Sequence, residues 1–141
     1  PPDTLTAALQ DAALRGVQVS IVLPERSNLR YVDWATMRCL PPLLECGVRV
    51  LLQPPPFSHT KLLVVDETYA QIGSANLDPR SLRLNFEIAL ELYDGQICRQ
   101  LAKYVMSARR HAEPMTADSG ARQTVLVRVR NSLAWLLSPY L

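Results

Sequence analysis

No apolar run in this sequence approaches the roughly 20 residues that a membrane-spanning helix needs. Its apolar stretches, such as Leu62 to Val65, are strand-sized. It shows no signal peptide, no internal repeat and no low-complexity segment. The three cysteines, Cys39, Cys46 and Cys98, are odd in number and lack CxxC spacing. That argues against a disulfide framework and against a zinc site, and points to buried or incidental thiols in a reducing compartment. Charge of one sign is lacking too: 15 Lys and Arg against 13 Asp and Glu leave a net charge of +2. This is not the global field of a strong nucleic-acid binder, so any anion has to be held by a local site. An initiator Met is also absent, and the start at Pro1-Pro2-Asp3 reads as a piece of a longer protein, with any membrane anchor outside it.

What is present suits one α/β domain. The chain has 141 residues, 48% hydrophobic and 20% charged, enough for a real core. Leu5, Ala8, Leu9, Ala12 and Ala13 recur at helical spacing and Gly16 closes that helix. Val17 to Leu23 alternates and is β-branched, a strand stopped by Pro24. A helix is expected from Arg30 to Leu40, interrupted by Pro41-Pro42, with a further turn or two to Cys46 and Gly47 as its cap. Val48 to Leu52 is the next strand and Pro54-Pro55-Pro56 a stiff loop. Lys61 to Val65 and Tyr69 to Ile72, joined near Glu67-Thr68, read as a hairpin. Asn85 to Tyr93 alternates as a further strand, and Ile97 to Arg109 is helical. His111 to Gly120 reads as a mobile loop, and Thr124 to Leu137 as a final amphipathic helix packed on the sheet. Together these predict a mixed β-sheet flanked by helices.

The chemistry concentrates between His59 and Glu87. His59 and Lys61 are two residues apart, so on a strand both side chains share a face. Glu87 falls on another predicted strand, within reach of that face. Gly73-Ser74-Ala75-Asn76 follows a strand end, where small residues let backbone and short polar groups close around an anion. Phosphodiester cleavage needs a nucleophile, charge stabilisation on the non-bridging oxygens and a proton for the leaving oxygen. An imidazole attacks phosphorus well when a carboxylate holds its other nitrogen, the role open to Glu87. Lys61 offers a point charge and Asn76 amide donors. No metal-ligand cluster is visible and the chemistry requires none.

His59-x-Lys61-x4-Asp66 followed by Gly73-Ser74-x-Asn76 resembles the HKD signature of the phospholipase D superfamily. The run from Gly73 to Glu87, Gly16 to Pro24, Gly47-Val-Arg-Val and the ending Leu-Leu-Ser-Pro-Tyr-Leu141 are similar to the bacterial cardiolipin synthase branch. The resemblance covers nearly the whole chain except His111 to Gly120. It implies one half of a two-lobed phospholipase D-type fold. It also implies a phosphodiesterase or phosphatidyltransferase that acts on phospholipid through a phosphohistidine, without metal or other cofactor. His59 would be catalytic, Lys61 and Asn76 would hold phosphate, Glu87 would orient His59, and Ser74 would support the phosphate. Asp66 would have a structural place at the turn after the strand.

The chain has two histidines, and His111 in His111-Ala-Glu113 has no Lys two residues on, so half a site is present. The family pattern calls for a second HKD half, from an N-terminal half of the parent chain or from a homodimer mate. The nucleophile sits more often in the preceding half, which would make His59 the general acid. The resemblance further implies a phosphatidylglycerol-like substrate and a peripheral position on the cytoplasmic side of a bacterial membrane. Two other readings stand beside this one. A nuclease of the same superfamily is weakened by the near-neutral charge. A non-catalytic half that binds phospholipid headgroups is the second. Arg80 and Arg83 flank the loop and suit either a headgroup or solvent.

Overall fold

A computed structural model describes residues 3–26, 30–56, 58–116 and 125–136. Helix α1 (Asp3–Leu14) leads to strand β1 (Ser20–Pro24), and helix α2 (Arg30–Glu45) to strand β2 (Arg49–Gln53). The two helices end in the same way. Gly16 and Gly47 take φ values of +92° and +88°. Val17 N donates to Ala12 O and Gly16 N to Ala13 O. Val48 N donates to Leu43 O and Gly47 N to Leu44 O in the same pattern. This is the Schellman arrangement, which satisfies the last carbonyls of a helix and needs a residue at ease with positive φ. Each glycine thereby turns the chain out of a helix and towards a Val-rich strand.

β1 and β2 pair in parallel, Ile21 opposite Val50 and Leu23 opposite Leu52. The core lies beneath them. Leu40 and Leu43 from α2, Val48 and Val50 from β2, and Met115 form one buried cluster, with Leu9, Ile21 and Leu23 packed against it. Met115 is carried there by strand β6 (Glu113–Pro114), which pairs antiparallel with Leu51 and Leu52. The sequence reading of His111 to Gly120 as a mobile loop is thus corrected for its first part, because burial of the Met115 side chain holds that segment in place. Residues 117–120 lie outside the described ones.

The second sheet is antiparallel: β3 (Leu62–Val65), β4 (Tyr69–Gly73) and β5 (Ala89–Leu92), in that order. The α/β class is as expected, and the strands divide into two three-stranded sheets. β1 and β6 flank β2 on both hydrogen-bonding edges, so β3 pairs with β4 instead of with β2. Asp66 and Glu67, with φ of 49° and 57°, form the tight turn between β3 and β4, and Thr68 N donates to Val65 O at 3.1 Å. Positive φ at both central residues marks the hairpin turn that matches strand twist. Helix α4 (Gly95–Arg110) packs against β2, β3 and β4 and so joins the two sheets. Asp94 caps it, accepting from Gln96 N and Ile97 N at 2.8 and 2.9 Å, and turns the buried Cys98 and Ala102 inward.

Two further expectations change. Helix α2 runs unbroken through Pro41 and Pro42. The prolines remove two backbone donors, yet Leu40 and Leu43 on either side are buried in the same core and hold both halves to one axis. Among the described residues the final helix, α5 (Val125–Leu136), packs chiefly on α2 rather than on a sheet. There the Arg130 guanidinium lies 4.4 Å from the centre of the Trp34 ring, and Asn131 is buried.

Leu43 is fully buried at the centre of the cluster. Leu43→Ala should cost about 2–5 kcal/mol through lost burial and an unfilled cavity. A urea unfolding curve would show this as a lower midpoint with little change in slope, whereas an unchanged midpoint would place the core elsewhere.

Candidate functional site

The antiparallel sheet brings three distant segments together at one end. Gly73 N donates to Lys61 O at 3.2 Å, and on the other side of β4 Ser74 N donates to Ile88 O at 2.9 Å. Gly73 stands opposite Ala89 in the ladder. A Cβ at Gly73 would collide with the Ile88 carbonyl and lie 3.0 Å from Ala89 Cα. Glycine is required here by the closeness of two backbones, since this φ is not in the left-handed region. The His59–Lys61 segment, the Gly73–Asn76 loop and Glu87 therefore meet on adjacent rungs.

Lys61 is the hub. Its Nζ lies 2.6 Å from Nδ1 and 2.9 Å from Nε2 of His59, and it donates to the His59 carbonyl at 3.0 Å. An ammonium has donors only, so in these contacts a ring nitrogen can take part only as acceptor. Desolvation lowers the Lys61 pKa, while the carboxylates of Glu87 and Asp78 work the other way. Glu87 is tied on both oxygens: the Ser74 hydroxyl donates to Oε2 and the Asn85 amide donates to Oε1 at 3.3 Å. These two hydrogen bonds, Ser74 first, hold its pKa below the usual value, and the Lys61 charge adds to the effect. Ser74 Oγ also accepts from Ile88 N at 3.1 Å, so one hydroxyl fixes both the carboxylate and the entry to β5.

The predicted residues do not all gather here. His59, Lys61, Ser74 and Glu87 form the cluster. Glu87 lies just before β5 rather than within it, because β5 begins only at Ala89. Its described partners are Ser74 and Asn85, and its link to His59 passes through the Lys61 charge. Asn76 is exposed on the loop after β4, and its side chain has no hydrogen-bond partner among the described residues. Asp66 sits at the far end of β3, in the turn. Arg80 and Arg83 lie exposed on the short helix α3 (Pro79–Arg83). A separate cleft lined by Glu25, Met37, Leu52, Pro54 and Glu113 to Thr116 shares no residue with the cluster. Among the described residues no group of His, Cys, Asp and Glu is placed to hold a metal ion.

Sequence reasoning missed Asp78, Ser81 and Asn85. Asp78 caps α3, accepting from Ser81 N at 2.7 Å, and its charge reaches Lys61. Asp-Pro-x-Ser was a legible signal, an N-cap followed by proline at the first helical position. Asn85 had no such signal, since its contact with Glu87 depends on how the chain leaves α3.

Comparison with known proteins supplies a family. Residues 1–108 match the family described as cardiolipin synthase, PLD-like domain. All 141 residues align with cardiolipin synthase 2 of Staphylococcus epidermidis at 35% identity. They align with the major cardiolipin synthase ClsA of Bacillus subtilis at 34% identity. The chain covers 29% of the length of each of these relatives. Among solved structures, Nuc from Salmonella typhimurium, a phospholipase D family member, is similar with a TM-score of 0.69 at 23% identity. That likeness covers 80% of this chain and 74% of that one, and it bears on the fold.

Two substitutions test this geometry. Ser74→Ala removes the main cause of the depressed Glu87 pKa, so the carboxyl should titrate closer to the ordinary value, read from the Glu87 carboxyl carbon by NMR. The sign follows from linkage. A folded-state pKa below the unfolded value of about 4.3 contributes stability that is present above that value and lost as pH falls through the folded one. Ser74→Ala should therefore flatten the acid limb of the stability curve, and an unmoved titration would remove Ser74 as the cause. Gly73→Ala should lower stability by about 1–3 kcal/mol, the scale of overpacking. A melting temperature equal to that of the parent would show that β4 and β5 separate freely.

Proposed function

We propose, because this chain belongs to the cardiolipin synthase, PLD-like domain family, that it supplies one half of a phospholipid phosphodiesterase site with phosphatidyltransferase activity. The observation that carries the proposal is the Lys61 ammonium lying within 3 Å of both nitrogens of His59. Ser74 and Glu87 stand beside it at the same open sheet end. A phosphodiester entering there meets a cation, an imidazole and a carboxylate at one end of the sheet.

The reaction runs in two displacements. In the first, an imidazole nitrogen forms a bond to phosphorus while the bond to the leaving oxygen breaks, and a second imidazole gives that oxygen its proton. In the second, an acceptor hydroxyl forms its bond to phosphorus, the nitrogen–phosphorus bond breaks, and the second imidazole takes the acceptor's proton. A lipid glycerol hydroxyl gives transfer and water gives hydrolysis. Lys61 and Asn76 meet the non-bridging oxygens, where charge is greatest in the transition state. Lys61 then exchanges its present contact with the ring for the phosphate. Ser74 and Asn85 keep Glu87 ionised and in place.

His59 takes one of the two imidazole roles, and a facing HKD half takes the other. The surroundings support a covering partner. Leu84 is 71% exposed, Ile88 67%, and Phe86 has no cover at all. Apolar exposure of this size beside polar catalytic groups marks a surface that another body covers. The chain also spans less than a third of the relatives it matches, which leaves room for a second half in such a parent. A phosphatidylglycerol-like substrate places that parent at a membrane surface, and among the described residues no helix is long and apolar enough to cross the bilayer.

The test compares the full-length parent with its His59→Ala variant on phosphatidylglycerol vesicles and on bis(p-nitrophenyl) phosphate, with chelator present. His59→Ala should lose at least about 10³-fold in rate, the scale for a covalent or acid–base residue. The 141-residue chain alone should be inactive, or active only as a dimer. Full activity in His59→Ala would end the proposal, and activity on nucleic acid but not on lipid would reassign the substrate.

A further inference from the structure

His59 lies outside the strand ladder. β3 begins at Leu62, and Gly73 N donates across the sheet to Lys61 O, two residues beyond the histidine. Yet an acid or nucleophile must be held within a few tenths of an ångström of its productive position. The residues on both sides of His59 are hydroxyl-bearing and are joined to each other. Ser58 Oγ donates to Thr60 Oγ1 at 3.2 Å. Thr60 Oγ1 in turn lies 3.2 Å from the Tyr104 hydroxyl, 44 residues away on α4. Tyr104 stands on the helix that packs against β3 and β4, and its half-exposed ring reaches the His59 segment through its hydroxyl.

We infer that Tyr104, acting through Thr60 and Ser58, is a positioning residue that fastens the His59 segment to helix α4 and sets the direction of the imidazole. His59 and Lys61 are two residues apart and Thr60 stands between them. The Thr60 hydroxyl meets the Tyr104 hydroxyl on the helix, while His59 and Lys61 meet each other. One anchoring contact therefore acts on both neighbours without touching substrate. The lowered pKa of Tyr104, caused by hydrogen bonds from Thr60 and then Ser58, agrees with a phenol oxygen that accepts from this chain. The inference rests on the catalytic reading of His59 and adds to it the group that aims it.

The experiment has two readouts. In the full-length parent, Tyr104→Phe and Thr60→Val should each lower kcat by about three- to tenfold, the rate equivalent of one hydrogen bond, with KM little changed. The double variant should be no slower than the slower single one, since both remove the same contact. Thr60→Ser keeps the hydroxyl and should recover most of the rate lost in Thr60→Val. The second readout is independent of activity. In the 141-residue chain, which has two histidines, the ring carbon–proton signals in NMR are assigned by comparison with His59→Ala. The His59 signal should broaden or split in Tyr104→Phe and Thr60→Val, and sharpen again in Thr60→Ser. An unchanged His59 signal, or a double variant whose effects multiply, overturns the inference while the catalytic reading stands. Full activity in His59→Ala overturns both. Loss in His59→Ala together with native rates in Tyr104→Phe overturns the positioning role alone.

Discussion

The site depends on the close approach of β4 and β5 at Gly73. Ser74 N reaches the Ile88 carbonyl at 2.9 Å only because no side chain stands between the two backbones. That one spacing sets where Ser74 Oγ meets Glu87 and Ile88, and hence where the carboxylate lies relative to Lys61. On the opposite edge of β4, the bond from Gly73 N to Lys61 O sets the height of Lys61. A single glycine therefore aligns three polar groups contributed by three separate segments. Placing a site on strand ends rather than on free loops gives it this accuracy.

The two sheets divide the work. The parallel pair β1 and β2, closed by β6, covers the core and carries most of the buried apolar residues. The antiparallel sheet carries the polar cluster and has few buried side chains of its own, Ala70 being one. Helix α4 contacts both sheets, so it transmits the rigidity of the core to the polar end. Tyr104 on the same helix lies against the His59 segment at the point where that rigidity is needed.

Electrostatics within the cluster are arranged in opposition. Lys61 is partly desolvated, which disfavours its charge, while Glu87 and Asp78 favour it. Glu87 is held ionised by neutral donors, Ser74 and Asn85, before the Lys61 charge contributes. The carboxylate thus stays charged whichever way Lys61 turns. Neutral hydrogen bonds are less sensitive to salt than an exposed ion pair, which makes this a durable way to keep an acidic group ionised.

Periodicity and end signals were enough to find most elements, because local rules govern them: glycine at two helix ends, alternation in the strands, and an acid-proline pair opening α3. His59, Lys61, Ser74 and Glu87 were legible as candidates from the groups they carry, their spacing and the resemblance of their motif. Other features belonged to the tertiary structure. Pro41 and Pro42 lie inside a continuous helix because Leu40 and Leu43 share one core, which a local rule for proline does not register. The segment after α4 forms a strand because Met115 has a buried place to fill. The strands divide into two sheets, β1-β2-β6 and β3-β4-β5, by pairings between segments distant in the chain. Asn85 and Tyr104 join the site by contacts that follow from a loop's exit angle and a helix's docking. Sequence by itself determined which groups are present and where most helices and strands lie, because those depend largely on neighbours along the chain. Only the tertiary structure decided which groups meet, because that depends on edges, cavities and backbone spacings that distant residues create together.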